Sequence, residues 1–347
     1  MRAVVFEEFG GPVAVRSMPD PAPSAAGVVV EVHNTGLCRS DWHAWAGHDD
    51  GVTLPHVPGH ELVGVVAAVG ADVRRWSVGD RVTTPFVCGC GLCEWCQNGQ
   101  AQVCPNQTQP GFTHWGSFAE YVALHSADTN LVAVSGDIED AAAAALGCRF
   151  ATAYRALHAR AGLKSEEWLT VVGVGGVGLS AVQIAIALGA NVIAIDRTPA
   201  ALALAKSLGA AHTVLADGRD VAAEVHELTG GGSHVAVDAV GSAAACADAI
   251  HSLRRRGRHV QVGLLPSAGG HPAVPMDRVI AWEIDIFGSH GMASADYPDM
   301  LRLVEDGTLR PHVLVERVVG LAEGGHLLPS LDTAAPVGVT LIDPRLT

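Results

Sequence analysis

Positive charge is scarce in this chain of 347 residues: 22 Lys and Arg stand against 36 Asp and Glu, a net charge of -14 with His neutral. That balance excludes a non-specific nucleic-acid binder, which needs a basic surface to displace counterions from phosphate. Internal repeats and low-complexity tails are missing too, and a hydrophobic fraction of 49% excludes a disordered chain. The opening residues, MRAVVFEEFGGP, carry acidic groups and lack the apolar stretch of a secretion leader, so a cytoplasmic protein is expected. One charge-free run, Leu169 to Ile195, has the hydropathy of a membrane span. Gly173, Gly175, Gly176 and Gly178 interrupt it, and Gly189-Ala190-Asn191 makes a turn. Strand, glycine turn, helix and strand describe it better, and no membrane partner is expected.

At roughly 100–200 residues per domain, the length predicts two domains. Residues 1–150 read as β-rich, with strands at Val28–His33, Leu62–Val69, Asp80–Thr84 and Ala119–Leu124 among dense Pro and Gly. The apolar run Leu62–Val69 reads as buried on both faces. From about Ala151 the pattern becomes α/β alternation. Strands are expected at Leu169–Val172, Val192–Asp196, His212–Leu215, His234–Ala239, His259–Gly263 and Ile284–Gly288. Alternation of this kind predicts a doubly wound parallel sheet of Rossmann type with helices on both faces. On its first helix, Val177, Ala181, Ile184, Ala185 and Leu188 share one face. The last stretch, with a helix near Tyr297–Glu305 and a strand near Val337–Ile342, is expected to rejoin the first domain.

Gly173-Val174-Gly175-Gly176-Val177-Gly178 matches G-x-G-x-x-G after an apolar strand and before a helix, and Asp196 ends the next strand 18 residues beyond Gly178. Glycines there let the backbone approach a pyrophosphate, and the helix N-terminus offers unpaired N–H groups. A carboxylate at Asp196 accepts hydrogen bonds from a ribose 2′-OH and repels a 2′-phosphate, which favours NAD; Arg197, next along, keeps NADP open.

Eight cysteines in a large chain without a leader point to metal ligation before disulfides. Cys90, Cys93, Cys96 and Cys104 form C-x2-C-x2-C-x7-C, which suits a closed tetrahedral zinc site that staples a loop. Cys88 is the competitor for the place of Cys90.

Further motifs are spread along the chain: Cys38-Arg39-Ser40-Asp41 with His43, then Gly59-His60-Glu61, then Leu146-Gly147-Cys148 with Thr152-Ala153. Taken with the four-cysteine loop and the glycine turn, in this order, they resemble the zinc-dependent medium-chain alcohol dehydrogenase family over nearly the whole chain. The resemblance implies a β-rich GroES-like catalytic domain, about 1–150 with 287–347 returning to it, and a Rossmann coenzyme domain, 151–286, between. It implies two zincs per chain. Cys38, His60 and Cys148 would hold the catalytic one, Glu61 would be an occasional ligand, and Asp41 would orient His60. Ser40, the cofactor ribose and His43 would relay the proton, and Arg39 would meet the cofactor pyrophosphate. Trp45, Phe86 and Trp115 correspond to aromatic pocket positions, which suggests a neutral primary or secondary alcohol, or its aldehyde or ketone.

One departure concerns the final strand, where many relatives carry a pyrophosphate-binding arginine and this chain has Val337-Gly338-Val339. Only 43 residues separate Cys104 from Cys148, which resembles the compact enzymes that form homotetramers. Two rivals share the motifs: a polyol, threonine or formaldehyde dehydrogenase on the same scaffold, and a non-enzymatic zinc and NAD sensor. A sensor needs no open zinc site, so Cys38→Ser would leave it working.

Overall fold

The computed structural model describes residues 1–265, 273–333 and 337–346. The chain forms two units, Met1–Ala151 with Gly291–Thr347, and Thr152–His290.

The first unit is built on strand Val28–Leu37, whose valines 28, 30 and 32 pack with Leu62, Val66, Val82, Val122 and Leu124. It pairs antiparallel with Leu62–Val69, with Tyr121–Leu124 and with Val339–Ile342, so the last strand of the chain returns to the first unit. Leu62–Val69 differs from the expectation of burial on both faces. Leu62 to Gly64 are buried, whereas Ala67 and Val69 emerge into solvent. A separate antiparallel hairpin, Arg2–Phe6 with Val13–Ser17, was not visible in the sequence. Its second strand is almost wholly exposed and so lacks a buried face to read.

The second unit holds six parallel strands in the order His212–Leu215, Asn191–Asp196, Trp168–Val172, Ser233–Asp238, Leu253–Gln261, Asp285–Gly288. In chain order that is 3-2-1-4-5-6, with the direction of travel reversing beside Trp168–Val172. Ligands of such sheets bind beyond the strand ends at that reversal. The uncharged run resolves into Trp168–Val172, helix Gly176–Ala187 and Asn191–Asp196. Among the described residues no helix is long and apolar enough to cross a membrane. Helix Gly176–Ala187 has no single apolar face: every residue from Gly178 to Ala185 is buried. A helix apolar all round is an interior one.

Candidate functional site

Helix Arg39–Trp45 begins at Cys38, whose N–H donates to Asp41 Oδ2 at 2.9 Å. The other oxygen of Asp41 accepts from the Gly59 N–H at 3.1 Å and pairs with His60 Nδ1 at 2.8 Å. One buried carboxylate therefore ties the helix start to the loop that carries His60. With Nδ1 held this way, Nε2 carries the ligand lone pair. That Nε2 is buried and has no hydrogen-bond partner.

Cys148 comes from a segment 88 residues after His60, on a π-helical turn, Leu146–Phe150. Tyr297 Oη, itself fully buried, donates to the carbonyls of Leu146 and Gly147 at 3.4 and 3.3 Å and so supports that turn. Ligand atoms of Cys38, His60, Glu61 and Cys148 all lie within 4.8 Å of one another. The Cys148 thiol holds Cys38 well below the usual thiol range against the effect of burial, with His60 and Arg149 assisting. Burial opposes charge on His60, but Asp41 and Cys38 push its pKa well above the usual imidazole value. Cys38 and burial push the Cys148 thiol well above its usual range, so one of the two sulfurs keeps its proton; two sulfurs and an imidazole are the donor set of an open zinc site.

Glu61 is already engaged. Its Oε1 accepts the backbone N–H of Arg149 at 3.0 Å and the Nε–H at 2.9 Å, while Oε2 accepts from Nε at 3.0 Å and from Nη2. Sequence reasoning missed Arg149, although it follows Cys148 directly. Phe112 was missed as well; its ring lies 5.2 Å from that of His60, and Phe86 lies 6.1 Å away, edge-on. Phe86 is thus brought to the cluster. Trp45 donates to Gly11 O and packs beside Phe6, Val52 and Phe112. Trp115 packs instead on Ala3, Val5, Val57 and Ala119 and donates to Pro55 O, the contacts of a side chain turned to a separate core.

Ser40 Oγ lies 3.7 Å from Cys38 Sγ. His43 Nδ1 is 3.0 Å from Nδ1 of His48, a second imidazole that sequence reasoning did not single out. Arg39 is exposed, pairs with Asp332 at 2.7 Å and lies over the Trp42 ring.

The loop cysteines converge. Cys93 Sγ is 3.5 Å from Cys96 Sγ and 3.7 Å from Cys104 Sγ, and all four sulfurs lie within 4.8 Å. Four thiolates at about 2.3 Å from one tetrahedral zinc stand about 3.8 Å apart, so the set fits that ion. Backbone N–H groups of Leu92 and Cys93 draw the Cys90 thiol down to about 6. Cys88 is elsewhere: its sulfur is 3.5 Å from Thr84 Oγ1, and burial pushes its pKa up to about 11, which marks a neutral core thiol.

In the second unit, Gly173 lies just past Trp168–Val172, at the sheet's reversal point. A Cβ at Gly178 would stand 1.9 Å from Gly173 O, so packing itself demands that glycine. A Cβ at Gly175 would meet nothing within 4 Å, which leaves an open approach to the backbone before helix Gly176–Ala187. Gly176 and Val177 form the first turn of that helix. Asp196 accepts the N–H of Val174 at 2.8 Å on one oxygen and that of Thr198 at 2.8 Å on the other, and each oxygen keeps a free lone pair. Arg197 beside it is exposed.

Comparison with known proteins agrees with this geometry. Residues 24–135 match the alcohol dehydrogenase GroES-like domain, and residues 176–306 match the zinc-binding dehydrogenase family. The chain is 36% identical to an alcohol dehydrogenase of Geobacillus stearothermophilus over 91% of its own length and 92% of that protein. A solved NAD-dependent alcohol dehydrogenase superposes with a TM-score of 0.89 at 32% identity, covering 99% of each chain. The alcohol dehydrogenase of Aeropyrum pernix does so with a TM-score of 0.89 at 31% identity, covering 99% of this chain and 100% of that one. The chain belongs to the zinc-dependent medium-chain alcohol dehydrogenase family and is an oxidoreductase.

Proposed function

We infer that the chain transfers a hydride between NAD and a primary or secondary alcohol, or the corresponding aldehyde or ketone, with one catalytic and one structural zinc. The observation that carries the reading is the buried, unpartnered Nε2 of His60 beside two thiols. Alcohol oxidation must remove a proton before a hydride can leave. A hydroxyl resembles water, with a pKa near 15.7, against about 6.5 for histidine, a gap of roughly 12 kcal/mol. Bound zinc supplies the Lewis acidity that lowers the pKa of a hydroxyl on it to about 7.

The protein groups then have lighter tasks. Asp41 fixes the tautomer of His60 and the start of the helix that carries Cys38. Phe86 and Phe112, against the His60 ring, make the surroundings apolar and exclude water, which suits a neutral alcohol better than a polyol. The Ser40 hydroxyl, 3.7 Å from Cys38 Sγ, would pass a proton on, and His43, paired with His48, would receive it. Cys90, Cys93, Cys96 and Cys104 would hold the second zinc in a closed shell without a place for substrate. For the cofactor, Gly175 leaves the backbone open to a pyrophosphate and Asp196 retains acceptors for ribose hydroxyls, while a phosphate-binding role for Arg39 rests on the resemblance alone. A homotetramer in the cytoplasm rests on the resemblance alone, and sedimentation tests the assembly. Metal analysis joined to an alcohol panel, with NAD and with NADP, tests the whole. Two zincs and NAD-linked turnover of simple alcohols support it, whereas a metal-loaded protein inactive with all of them removes it.

A further inference from the structure

We propose that Arg149 is a positioning residue that keeps Glu61 off the catalytic metal and so reserves the fourth coordination place for substrate. The proposal rests on the zinc reading of Cys38, His60 and Cys148. Three N–H groups of one arginine make four contacts to the Glu61 carboxylate, two on each oxygen. A carboxylate offers about four lone-pair sites, and three donor hydrogens, that of Nε shared by both oxygens, hold it toward Arg149, so a metal would have to compete with the guanidinium for it.

The surrounding backbone is shaped to this pair. A Cβ at Gly36 would stand 2.1 Å from Glu61 Oε2 and 2.7 Å from Arg149 Nη2, so any larger residue there would displace it. The Gly36 N–H also donates to Glu61 O at 2.7 Å, and Arg149 Nη1 donates to Leu37 O at 3.3 Å. Glu61 is fully buried and Arg149 nearly so. Because Arg149 follows Cys148 on the same π-helical turn, the element that supplies a metal ligand also supplies the clamp. Charge gives the clamp its purpose. Two thiolates cancel a divalent ion, and a third anion on the metal would weaken its pull on a substrate oxygen. Arg149 neutralises that third anion in place.

The test uses the full chain with cobalt(II) exchanged for zinc, imidazole as the added ligand, and the visible cobalt bands as readout. The closed four-thiolate site contributes a constant background. Imidazole is expected to shift the wild-type bands, and Arg149→Gln to weaken its binding about tenfold or more, the scale of a lost charge-assisted hydrogen bond. Adding Glu61→Gln to Arg149→Gln is expected to restore binding, because a neutral amide competes poorly for the metal. An Arg149→Gln protein that titrates as wild type overturns the proposal, as does a double variant as weak as the single one. Should Arg149→Gln not fold, Arg149→Lys keeps the charge with fewer donors and should weaken imidazole binding severalfold; no change again refutes the clamp. A wild-type chain whose cobalt bands depend on neither Cys38 nor Cys148 refutes the underlying zinc site, a result distinct from all of these.

Discussion

Replacing Asp41 by Asn probes the site at the point where fold and chemistry meet. The carboxylate receives the Cys38 N–H, the Gly59 N–H and His60 Nδ1 at 2.9, 3.1 and 2.8 Å, in a fully buried place. An amide of the same shape keeps one oxygen and turns an NH2 toward donors. If the oxygen stays on Gly59 and His60, the Cys38 N–H faces an N–H; if it turns to Cys38, the other two lose their acceptor. Either way at least one buried donor is left unpaired, at a cost of about 1–3 kcal/mol. Loss of the carboxylate behind the imidazole also weakens metal binding about 10–100-fold, or roughly 1.4–2.8 kcal/mol. The assay is zinc competition against a chromogenic chelator, with thermal unfolding of the zinc-free protein measured alongside. Zinc affinity at the Cys38–His60–Cys148 site should fall, while that of the four-cysteine site should stay unchanged. A variant whose two zinc affinities both stay within about twofold of the parent would refute the reasoning.

Other outcomes follow from the same structure. Gly175→Ala meets no neighbour and should leave stability within about 0.5 kcal/mol while weakening NAD binding about tenfold or more, measured by cofactor fluorescence titration. Gly178→Ala drives a Cβ onto Gly173 O, so unfolding curves should show clear destabilisation even without cofactor. Cys96→Ser should cut the zinc content from two to one per chain and lower the melting temperature, with the remaining zinc still supporting turnover. His114 has its pKa lowered to about 4, chiefly by burial and then by His125. Its folded pKa lies below the unfolded value of about 6.5, so the unfolded chain binds the proton first as pH falls. Stability should therefore drop from about pH 6.5 toward pH 4, by up to about 3 kcal/mol, and His114→Gln should flatten that limb in denaturant titrations.

What was legible in the sequence was whatever chemistry writes locally. The cysteines at 90, 93, 96 and 104 are adjacent in the chain and carry ligand atoms, so spacing alone announced their convergence. The inner parallel strands Trp168–Val172, Asn191–Asp196 and Ser233–Asp238 were readable as apolar runs because both of their faces are covered. Leu253–Gln261 was read only from His259, because Arg254, Arg255 and Arg256 give its first half the look of a loop. Arg149 was not legible. Its partner Glu61 lies 88 residues away, and only the empty Cβ position of Gly36 makes the pair possible. Phe112 sits in a loop whose approach to His60 is a tertiary fact, without periodicity to betray it. Trp115, judged by residue type and position, turned out to face another core. Side chains that act through contacts between distant segments need the fold before they can be assigned.

The most direct measurement uses an alcohol deuterated at its carbinol carbon, the zinc-loaded chain and NAD, with mass analysis of the reduced nicotinamide. Deuterium carried to the nicotinamide ring, in amounts equal to the carbonyl product and abolished by Cys38→Ser, is the result expected. A chain with both zincs in place that yields reduced cofactor from no alcohol, and consumes it with no carbonyl, would contradict the account.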